Sequence, residues 1–158
     1  MGLFTKNKSL EVYAPVDGEI IELSKVQDEV FAEKMLGDGF ALVPENGIFH
    51  APIDGKLVTV FPTGHAYGIL NKNGVEILLH IGLDTVSLNG EGFDIKVKQD
   101  QSISQGDLLV NVDIDNVSKK VPSMQTPLIF TSDSMEGKSF ELVKTGKVKQ
   151  GELIALVK

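Results

Sequence analysis

Two histidines, His65 and His80, are the residues of this chain whose type and spacing are best suited to chemistry. They lie in the stretch TGHAYGILNKNGVEILLHIGLDT, one on each side of a sequence that predicts a turn. Imidazole titrates near neutral pH, so a neutral ring can serve as a base, a metal ligand or a nucleophile. Two rings on one exposed sheet face are harder to explain as purely structural than one ring would be.

Three uses of the pair are open at this point. As metal ligands, two imidazoles leave a tetrahedral zinc site incomplete, and His50 or Asp84 would have to complete it. As an acid-base pair, they would need a substrate pocket, which the sequence does not predict. As phosphoryl-transfer groups, one ring would accept the phosphoryl group while the other donates a hydrogen bond to its oxygens. That last use needs no metal ion, because neutral imidazole is a competent nucleophile at pH 7.

Other common chemistries lack their sequence signatures. The chain contains no cysteine, which excludes disulfides, thiolate metal sites and cysteine nucleophiles. It also contains no G-x-S-x-G nucleophile elbow, no phosphate-binding P-loop, no G-x-G-x-x-G motif and no H-E-x-x-H zinc motif. The histidine pair therefore remains the candidate centre.

A β-hairpin must position the two histidines. Over residues 75–83 apolar residues alternate with others, which predicts a strand with one face in the core and His80 on the opposite face. A four-residue loop at residues 71–74 would place His65 directly opposite His80, and a two-residue loop at residues 73–74 would make them diagonal neighbours. Both registers predict two imidazoles on one face of the sheet.

The rest of the sequence consists of short β-favouring runs separated by Gly, Pro, Asp and Asn. Turn signals at this spacing predict an all-β fold, an antiparallel β-sandwich or barrel, since a parallel sheet would need helical patterns between its strands. Only two very short helices are expected: residues 28–36 with Asp28 as the N-cap, and residues 115–121 before Pro122.

A weak internal repeat accompanies this pattern. APVDGEI at residues 14–20 returns as APIDGKL at residues 51–57, and QGDLLV at residues 105–110 returns as QGELIA at residues 150–155. Each copy places a glycine before an apolar run, as in a turn that leads into a core strand. The repeat predicts a quasi-symmetric β domain.

Length and charge narrow the class of protein. The 158 residues suit a single domain, expected at residues 10–158 after a flexible N-terminal tail at residues 1–9. The net charge of −7 disfavours nucleic acid and anionic membranes as partners and favours basic proteins. No apolar run approaches the roughly 20 residues of a membrane span, and no signal-peptide pattern begins the chain. We expect a cytoplasmic monomer without stable membrane insertion.

Four stretches together resemble a known family. APVDGEI, FAEKMLGDGFAL, PTGHAYGI and VEILLHIGLDTVSLNGEGF are similar to the glucose-type enzyme IIA of the bacterial phosphoenolpyruvate:sugar phosphotransferase system. The resemblance covers residues 10–158. It implies an antiparallel β-sandwich and a phosphotransferase component that carries a phosphohistidine in sugar transport, with no cofactor required.

The resemblance also implies roles in the histidine stretch. His80, in LLHIGLDT, matches the histidine that is phosphorylated on Nε2 by the phosphocarrier protein HPr and passes the group to the IIB domain of a sugar permease. His65, in TGHA, matches the second active-site histidine, which assists onward transfer. Thr63 matches the threonine that orients this second ring, while Pro62 and Gly64 beside it differ from the best-known member of the family.

A docking surface around the histidines is implied as well. Asp28 and Asp84 match acidic residues that border the site, and we expect them to face basic groups of the partners. They are not expected to take part in the chemistry, because a nearby carboxylate would oppose the negative charge of the phosphoryl group. HPr and IIB are expected to dock on an apolar rim formed by Val30, Phe31, Leu36, Phe61 and Leu78. Regulatory target enzymes are further candidate partners.

Two alternatives from other classes stay open. One is a regulatory binding protein in which His65 and His80 hold Zn²⁺ at an interface with a target enzyme. The other is a lipoyl or biotinyl carrier, which would bear its cofactor on a lysine at a hairpin tip; Lys34-Met35 reverses the biotinyl order and lies in a helical pattern. His50, in IFHAPIDG, has no family counterpart and is predicted to be a half-exposed strand residue.

Overall fold

The computed structural model describes residues 9–158, so the predicted tail lies outside the described residues except for its last position. Two four-residue helices, α1 (Glu29–Ala32) and α2 (Ile114–Val117), interrupt the strands. Fourteen strands occur in this part of the chain: β1 (Leu10–Tyr13), β2 (Gly18–Glu22), β3 (Gly37–Pro44), β4 (Ile48–His50), β5 (Gly55–Val60), β6 (Ala66–Leu70), β7 (Glu76–His80), β8 (Phe93–Ile95), β9 (Ser102–Ile103), β10 (Leu108–Val112), β11 (Thr126–Thr131), β12 (Phe140–Leu142), β13 (Gly146–Val148) and β14 (Leu153–Val157).

The strands form three antiparallel sheets. An eight-stranded sheet has the order β13-β2-β3-β11-β7-β6-β5-β9, and two three-stranded sheets have the orders β1-β14-β12 and β4-β10-β8. Buried side chains of all three sheets share one main core, among them Val12, Leu42, Phe49, Tyr67, Leu79, Leu109, Leu128 and Ala155. The predicted all-β antiparallel sandwich is confirmed.

A smaller apolar cluster forms separately from the main core. Ile129 belongs to the smaller cluster, whereas its neighbours on β11, Leu128 and Phe130, belong to the main core. Because successive side chains of a strand point to opposite faces of the sheet, the smaller cluster lies on the face away from the main core. We call it the outer cluster; its buried members are Leu23, Val26, Phe31, Ala41, Leu83 and Ile129. This cluster packs the segment that contains α1 against the outside of the sheet.

The alternation predicted for β7 is present. Val75, Ile77, Leu79 and Ile81 are buried in the main core, as expected. Leu83 is also buried, but in the outer cluster rather than in the main core. The alternation holds through Ile81 and fails at Leu83, because Gly82, with φ +72°, turns the chain between them.

Both predicted registers of the hairpin are wrong. His80 pairs with Ala66, and the loop has three residues, 72–74, closed by a hydrogen bond of 2.8 Å from Asn71 N to Val75 O. Gly74 has φ +90°, as expected where a type I turn is followed by a residue in the left-handed region. The Asn71 amide donates to Asp54 O at 2.8 Å, a contact outside the hairpin that favours this loop over the two predicted ones.

The internal repeat corresponds to two equivalent turns. The Asp17 carboxylate accepts a hydrogen bond of 2.7 Å from the backbone of Gln150, and the Asp54 carboxylate accepts one of 2.7 Å from the backbone of Gln105. The next residue after each glutamine is a glycine, and its backbone N–H also bonds to the partner turn. Gly151 N donates to Ala14 O and Gly106 N donates to Ala51 O, both at 2.9 Å. The predicted quasi-symmetry is therefore visible in matched hydrogen bonds.

Both helices are shorter than predicted. Asp28 is the N-cap of α1, as expected, and its carboxylate accepts from Val30 N at 2.9 Å. The helix ends at Ala32 because Lys34 takes a left-handed conformation with φ +61°. Asp113 caps α2, which starts one residue before the predicted range and ends four residues before its end. Across the described part of the chain, no helix has the length and apolar character needed to cross a membrane.

Candidate functional site

His80 stands at the end of β7, where its ring is held by the backbone. The side chain is half-buried, and its Nδ1 lies 2.8 Å from the carbonyl oxygen of Gly82. A carbonyl oxygen only accepts, so Nδ1 carries the proton and donates it in this hydrogen bond. In the neutral ring Nε2 therefore keeps its lone pair. The fold selects one tautomer of His80 and leaves one nitrogen available as a nucleophile.

Gly82 is required for this arrangement. Its φ of +72° lies in the region that favours glycine, and this turn directs its carbonyl back to a residue two positions earlier. A Cβ at this position would come within 2.7 Å of Thr85 Cγ2. Thr85 is itself fully buried and donates from its hydroxyl to Ile81 O at 2.6 Å. Thr85 thus holds the peptide group just before Gly82 and leaves no room for a side chain there.

His65 lies just before strand β6. Its carbonyl accepts a hydrogen bond of 2.7 Å from Ile81 N, so its backbone is opposite Ile81 and not opposite His80. Gly64, with φ +76°, turns the chain just before it. The His65 and His80 rings nonetheless meet with centroids 5.0 Å apart and planes at 78°. The structure thus brings the two imidazoles together, as predicted, but not through the predicted cross-strand pairing.

Thr63 contacts the buried ring of His65. Its hydroxyl oxygen lies 2.6 Å from His65 Nδ1. A hydroxyl both donates and accepts, so this contact permits either tautomer of His65. The structure therefore places Thr63 where the resemblance expects it, beside the second histidine.

Each histidine also packs against a phenylalanine. The Phe31 ring lies 4.9 Å from that of His80, and the Phe61 ring lies 5.0 Å from that of His65. Phe31 is 5% exposed and belongs to the outer cluster, whereas Phe61 is 42% exposed. Phe31 was expected to be part of the docking rim; it is buried and offers partners little surface.

Burial keeps both imidazoles neutral near pH 7. Burial is the larger cause and the neighbouring charge of His80 the smaller one of a shift that lowers the pKa of His65 to about 4. Burial also lowers the pKa of His80, but the Gly82 carbonyl and the charge of Asp28 oppose this effect because both favour the protonated ring. A neutral ring is the form with a free nitrogen lone pair.

The predicted acidic residues border the site in different ways. Asp28 is half-buried, caps α1, and is near enough to His80 to raise the pKa of that ring. Asp84 is exposed and has φ +59°, in the turn that follows Gly82. Neither carboxylate contacts an imidazole nitrogen through a hydrogen bond in the part of the chain that the structure describes.

Apolar side chains are exposed in the segments next to the histidines. Val30, Leu36 and Phe61, predicted for the rim, are 40–42% exposed, and Leu78 is half-buried. Sequence reasoning missed Met35 and Val86, which are 67% and 49% exposed. Met35 directly precedes Leu36, and Val86 lies two residues after Asp84, so proximity to predicted site residues was the signal that could have identified them.

His50 and Asp84, the residues predicted to complete a metal site, are not grouped with the two histidines. In the described residues no three or more His, Cys, Asp or Glu side chains are grouped so that they could hold a metal ion. His50 lies in β4, half-buried and paired with Leu108, which agrees with its interpretation as a strand residue. A metal ion on His65 and His80 would therefore need ligands from another molecule.

Comparisons with known proteins agree on one family. Residues 10–135 match the family described as phosphoenolpyruvate-dependent sugar phosphotransferase system, EIIA 1. The chain is 60% identical over 152 residues to the PTS system glucose-specific EIIA component of Mycoplasma capricolum, covering 96% of this chain and 97% of that protein. It is 47% identical over 147 residues to the glucose-specific EIICBA component of Staphylococcus carnosus, covering 93% of this chain but only 22% of that longer protein.

A solved structure extends the agreement to the fold. The glucose permease IIA from Mycoplasma capricolum superimposes with a TM-score of 0.92 at 60% identity, covering 96% of this chain and 97% of that one. Neither comparison points to a lipoyl or biotinyl carrier. In sequence and in fold alike, the chain belongs to the EIIA 1 family of the phosphoenolpyruvate-dependent sugar phosphotransferase system, whose members are phosphotransferase phosphocarriers.

Proposed function

We propose that this chain is a glucose-type EIIA component in which Nε2 of His80 accepts a phosphoryl group from phospho-HPr and passes it to the IIB domain of a sugar permease. The observation that carries this proposal is the hydrogen bond from His80 Nδ1 to Gly82 O, at 2.8 Å. It leaves Nε2 as the nucleophilic nitrogen of a ring that is half-buried. The relatives to which this chain is 60% and 47% identical are named as a glucose-specific EIIA component and a glucose-specific EIICBA component of the phosphotransferase system.

Transfer of the phosphoryl group to His80 does not require a proton to leave the site. The Nε2 lone pair of His80 forms the new N–P bond while the N–P bond of the donor phosphohistidine breaks, and its electron pair returns to the donor ring. The Nδ1–H group of His80 keeps its hydrogen bond to the Gly82 carbonyl throughout. The phosphorylated His80 ring then carries a positive charge, which makes it a good leaving group when the next acceptor attacks phosphorus. The same hydrogen bond thus serves both acceptance and release.

His65 is proposed to stabilise the phosphoryl oxygens. If the Thr63 hydroxyl donates to His65 Nδ1 across their 2.6 Å contact, the proton of the neutral His65 ring lies on Nε2 and can be donated to a phosphoryl oxygen. Its pKa of about 4 keeps the ring neutral at physiological pH. A neutral N–H donor can assist onward transfer to IIB without forming a tight ion pair with the phosphoryl group.

Two partners are proposed to use one surface in turn. The exposed apolar side chains of the segments next to the histidines, including Met35 and Val86, would exclude water from the transferring group when a partner covers them. Asp28 and Asp84 would face basic groups of HPr and IIB. We infer a cytoplasmic location from the phosphoenolpyruvate-dependent donor, and regulatory target enzymes remain predicted partners.

The zinc-bridged regulator gains no support from the comparisons or from the structure. The described residues supply only the two imidazoles at the site, which leaves a tetrahedral zinc ion short of ligands. We therefore do not carry this function forward as a second candidate.

The test is intact mass spectrometry after incubation with phosphoenolpyruvate, enzyme I and HPr. We expect the wild type and His65→Ala to gain one acid-labile phosphoryl group, and His80→Ala to gain none. His50→Ala, which changes a histidine of β4 outside the pair, is the matched control and should behave as the wild type. Phosphorylation of the His80→Ala protein at the wild-type rate would overturn the proposal.

A further inference from the structure

Residues 123–126 contact both of the segments that hold the His80 ring. They lie just before and at the start of β11, which pairs with β7 and β3 in the large sheet. Thr126, the last of the four, is fully buried and pairs with Leu42. We call residues 123–126 the brace. Its contacts form two sets, one to the Gly82 turn and one to the loop that leads into α1.

The first set holds the peptide groups on both sides of Gly82. Gly82 N donates to Thr126 Oγ1 in a long hydrogen bond of 3.4 Å, and Leu83 N donates to Ser123 O at 2.9 Å. Thr126 Oγ1 gives its own proton to Met124 O at 2.9 Å, so its oxygen is committed to accepting from Gly82. The peptide group that contains the Gly82 carbonyl is therefore fixed at its other end, on Leu83 N.

The second set holds the loop that leads into α1. Gln125 Oε1 accepts from Gln27 N at 2.9 Å, and Gln125 Nε2 donates to Lys25 O at 3.5 Å. This loop continues directly into Asp28, which caps α1, and then into Phe31, whose ring packs on His80. One carboxamide thus ties the α1 segment to the strand that lies beside β7, across almost one hundred residues of sequence.

We propose that Thr126 and Gln125 are positioning residues for His80, Thr126 through the Gly82 carbonyl and Gln125 through the loop that carries Phe31. Neither residue contacts the imidazole itself. Thr126 favours the tautomer through Gly82 N, because it holds the Ile81–Gly82 peptide group while Ser123 O holds Leu83 N on the other side of the glycine. Together the two contacts aim the Gly82 carbonyl at the Nδ1 proton. Gln125 selects the orientation of the ring, because it holds the phenylalanine against which the ring packs. The consequence for phosphoryl transfer rests on the proposed function, whereas the effect on the imidazole does not.

Conservative variants separate the two contributions. Thr126→Val removes the acceptor oxygen while keeping the shape of the side chain, and Thr126→Ser restores the oxygen. Gln125→Met removes both amide contacts at a half-buried position and keeps the length of the side chain. Thr131→Val is the matched control, because Thr131 lies at the other end of β11 and its hydroxyl donates to Ser134.

Two readouts are needed, both on the full chain. Nitrogen-15 NMR of the three imidazoles gives the tautomer of His80, and nuclear Overhauser contacts between Phe31 and His80 report the ring orientation. We expect Thr126→Val to move the two nitrogen signals of His80 toward each other and Gln125→Met to weaken the contacts with Phe31. The rate of phosphorylation by phospho-HPr should fall about tenfold in each, because small displacements of a reacting group are costly. Thr126→Ser and Thr131→Val should match the wild type.

The outcomes distinguish this inference from the function on which it partly rests. Unchanged tautomer and unchanged Phe31 contacts in Thr126→Val and Gln125→Met would overturn it. An equal fall in rate in Thr131→Val would also overturn it, because the effect would then be a general one of β11. If the NMR changes occur but wild-type His80 is never phosphorylated, the positioning role stands and the proposed function fails.

Discussion

His80 and His65 meet ring to ring, yet the two sides of the site are built differently. On the His80 side the Nδ1 partner is a carbonyl oxygen, which only accepts, and the packed ring is the buried Phe31. On the His65 side the Nδ1 partner is a hydroxyl, which donates or accepts, and the packed ring is the exposed Phe61. The His80 side has one tautomer and one orientation, and the His65 side can adjust. A nucleophile benefits from the first property, and a donor that meets two partners benefits from the second.

The two phenylalanines provide the strongest test of this difference. Phe31→Ala should lower the free energy of unfolding by about 3–5 kcal/mol, since it empties a buried position in the outer cluster. Phe61→Ala should change it by less than about 1 kcal/mol, because that ring is already substantially exposed. Urea denaturation of both variants gives the comparison. Equal losses would mean that the two sides are packed alike.

Phe61→Ala should act on binding instead. Loss of an exposed apolar ring from the rim is expected to weaken the affinity for HPr by about 1 kcal/mol or more, which calorimetric titration can measure. Unchanged affinity would remove Phe61 from the docking surface.

Gly82→Ala tests the fixed acceptor on the His80 side. An added Cβ meets Thr85 Cγ2 at 2.7 Å and adopts a φ that L residues disfavour, so we expect a loss of about 2–4 kcal/mol of stability. Phosphorylation of His80 should fall as well. Gly74→Ala is the matched control on the same hairpin: its φ is +90°, but a Cβ there would meet no atom within 4 Å. If Gly74→Ala lost as much stability as Gly82→Ala, backbone strain alone would explain the loss, and the contact with Thr85 would not matter.

The pH dependence of stability should separate the two histidines. The pKa of His65 is about 4 in the folded protein and near 6.5 when unfolded, so between these values the unfolded chain binds more protons. Stability therefore falls as pH drops from about 6.5 to about 4, on the order of 2 kcal/mol for this group. His65→Gln should flatten that slope, measured against the wild type by urea denaturation at several pH values.

His80→Gln is the comparison for this pH effect. It should flatten the slope less, because the Gly82 carbonyl and Asp28 partly offset the burial that lowers the pKa of His80. A larger effect from His80→Gln than from His65→Gln would reverse the assignment.

Thr63→Val gives the smallest expected effect. Without the hydroxyl, His65 loses the partner on Nδ1, and we expect onward transfer to IIB to slow about tenfold, the equivalent of one hydrogen bond. Acceptance from phospho-HPr should stay within about twofold, because His80 keeps its own partner. Rapid-quench measurement of each half-reaction separates the two rates, and Thr63→Ser should recover the loss. If both half-reactions slow equally, the hydroxyl serves the whole site.

Much of the site could be predicted because it follows from local patterns. The alternation over residues 75–81, the Asp28 cap and the adjacency of the two histidines all depend on neighbours in sequence. The hairpin register could not be predicted, since Asn71 favours a three-residue loop by bonding to Asp54, which belongs to another turn.

The remaining differences have the same physical origin. Phe31 is buried because its segment packs on Ala41 of the next strand, β3, and on Ile129 of β11, which lies almost one hundred residues later in the sequence. Leu83 changes sides because the chain turns at Gly82. Alternation within a strand cannot report contacts that other segments impose once the strand has ended.

The two matched turns of the repeat also bear on how the protein is made. Asp17 bonds to the backbone of a residue 133 positions later, and Asp54 to one 51 positions later. During synthesis from the N-terminus, the first of these bonds cannot form until Gln150 has left the ribosome. We therefore expect a slow, late closing step, with β1 unpaired until β14 has been translated. A nascent chain stalled before Gln150 should be cleaved by protease far faster than the released protein.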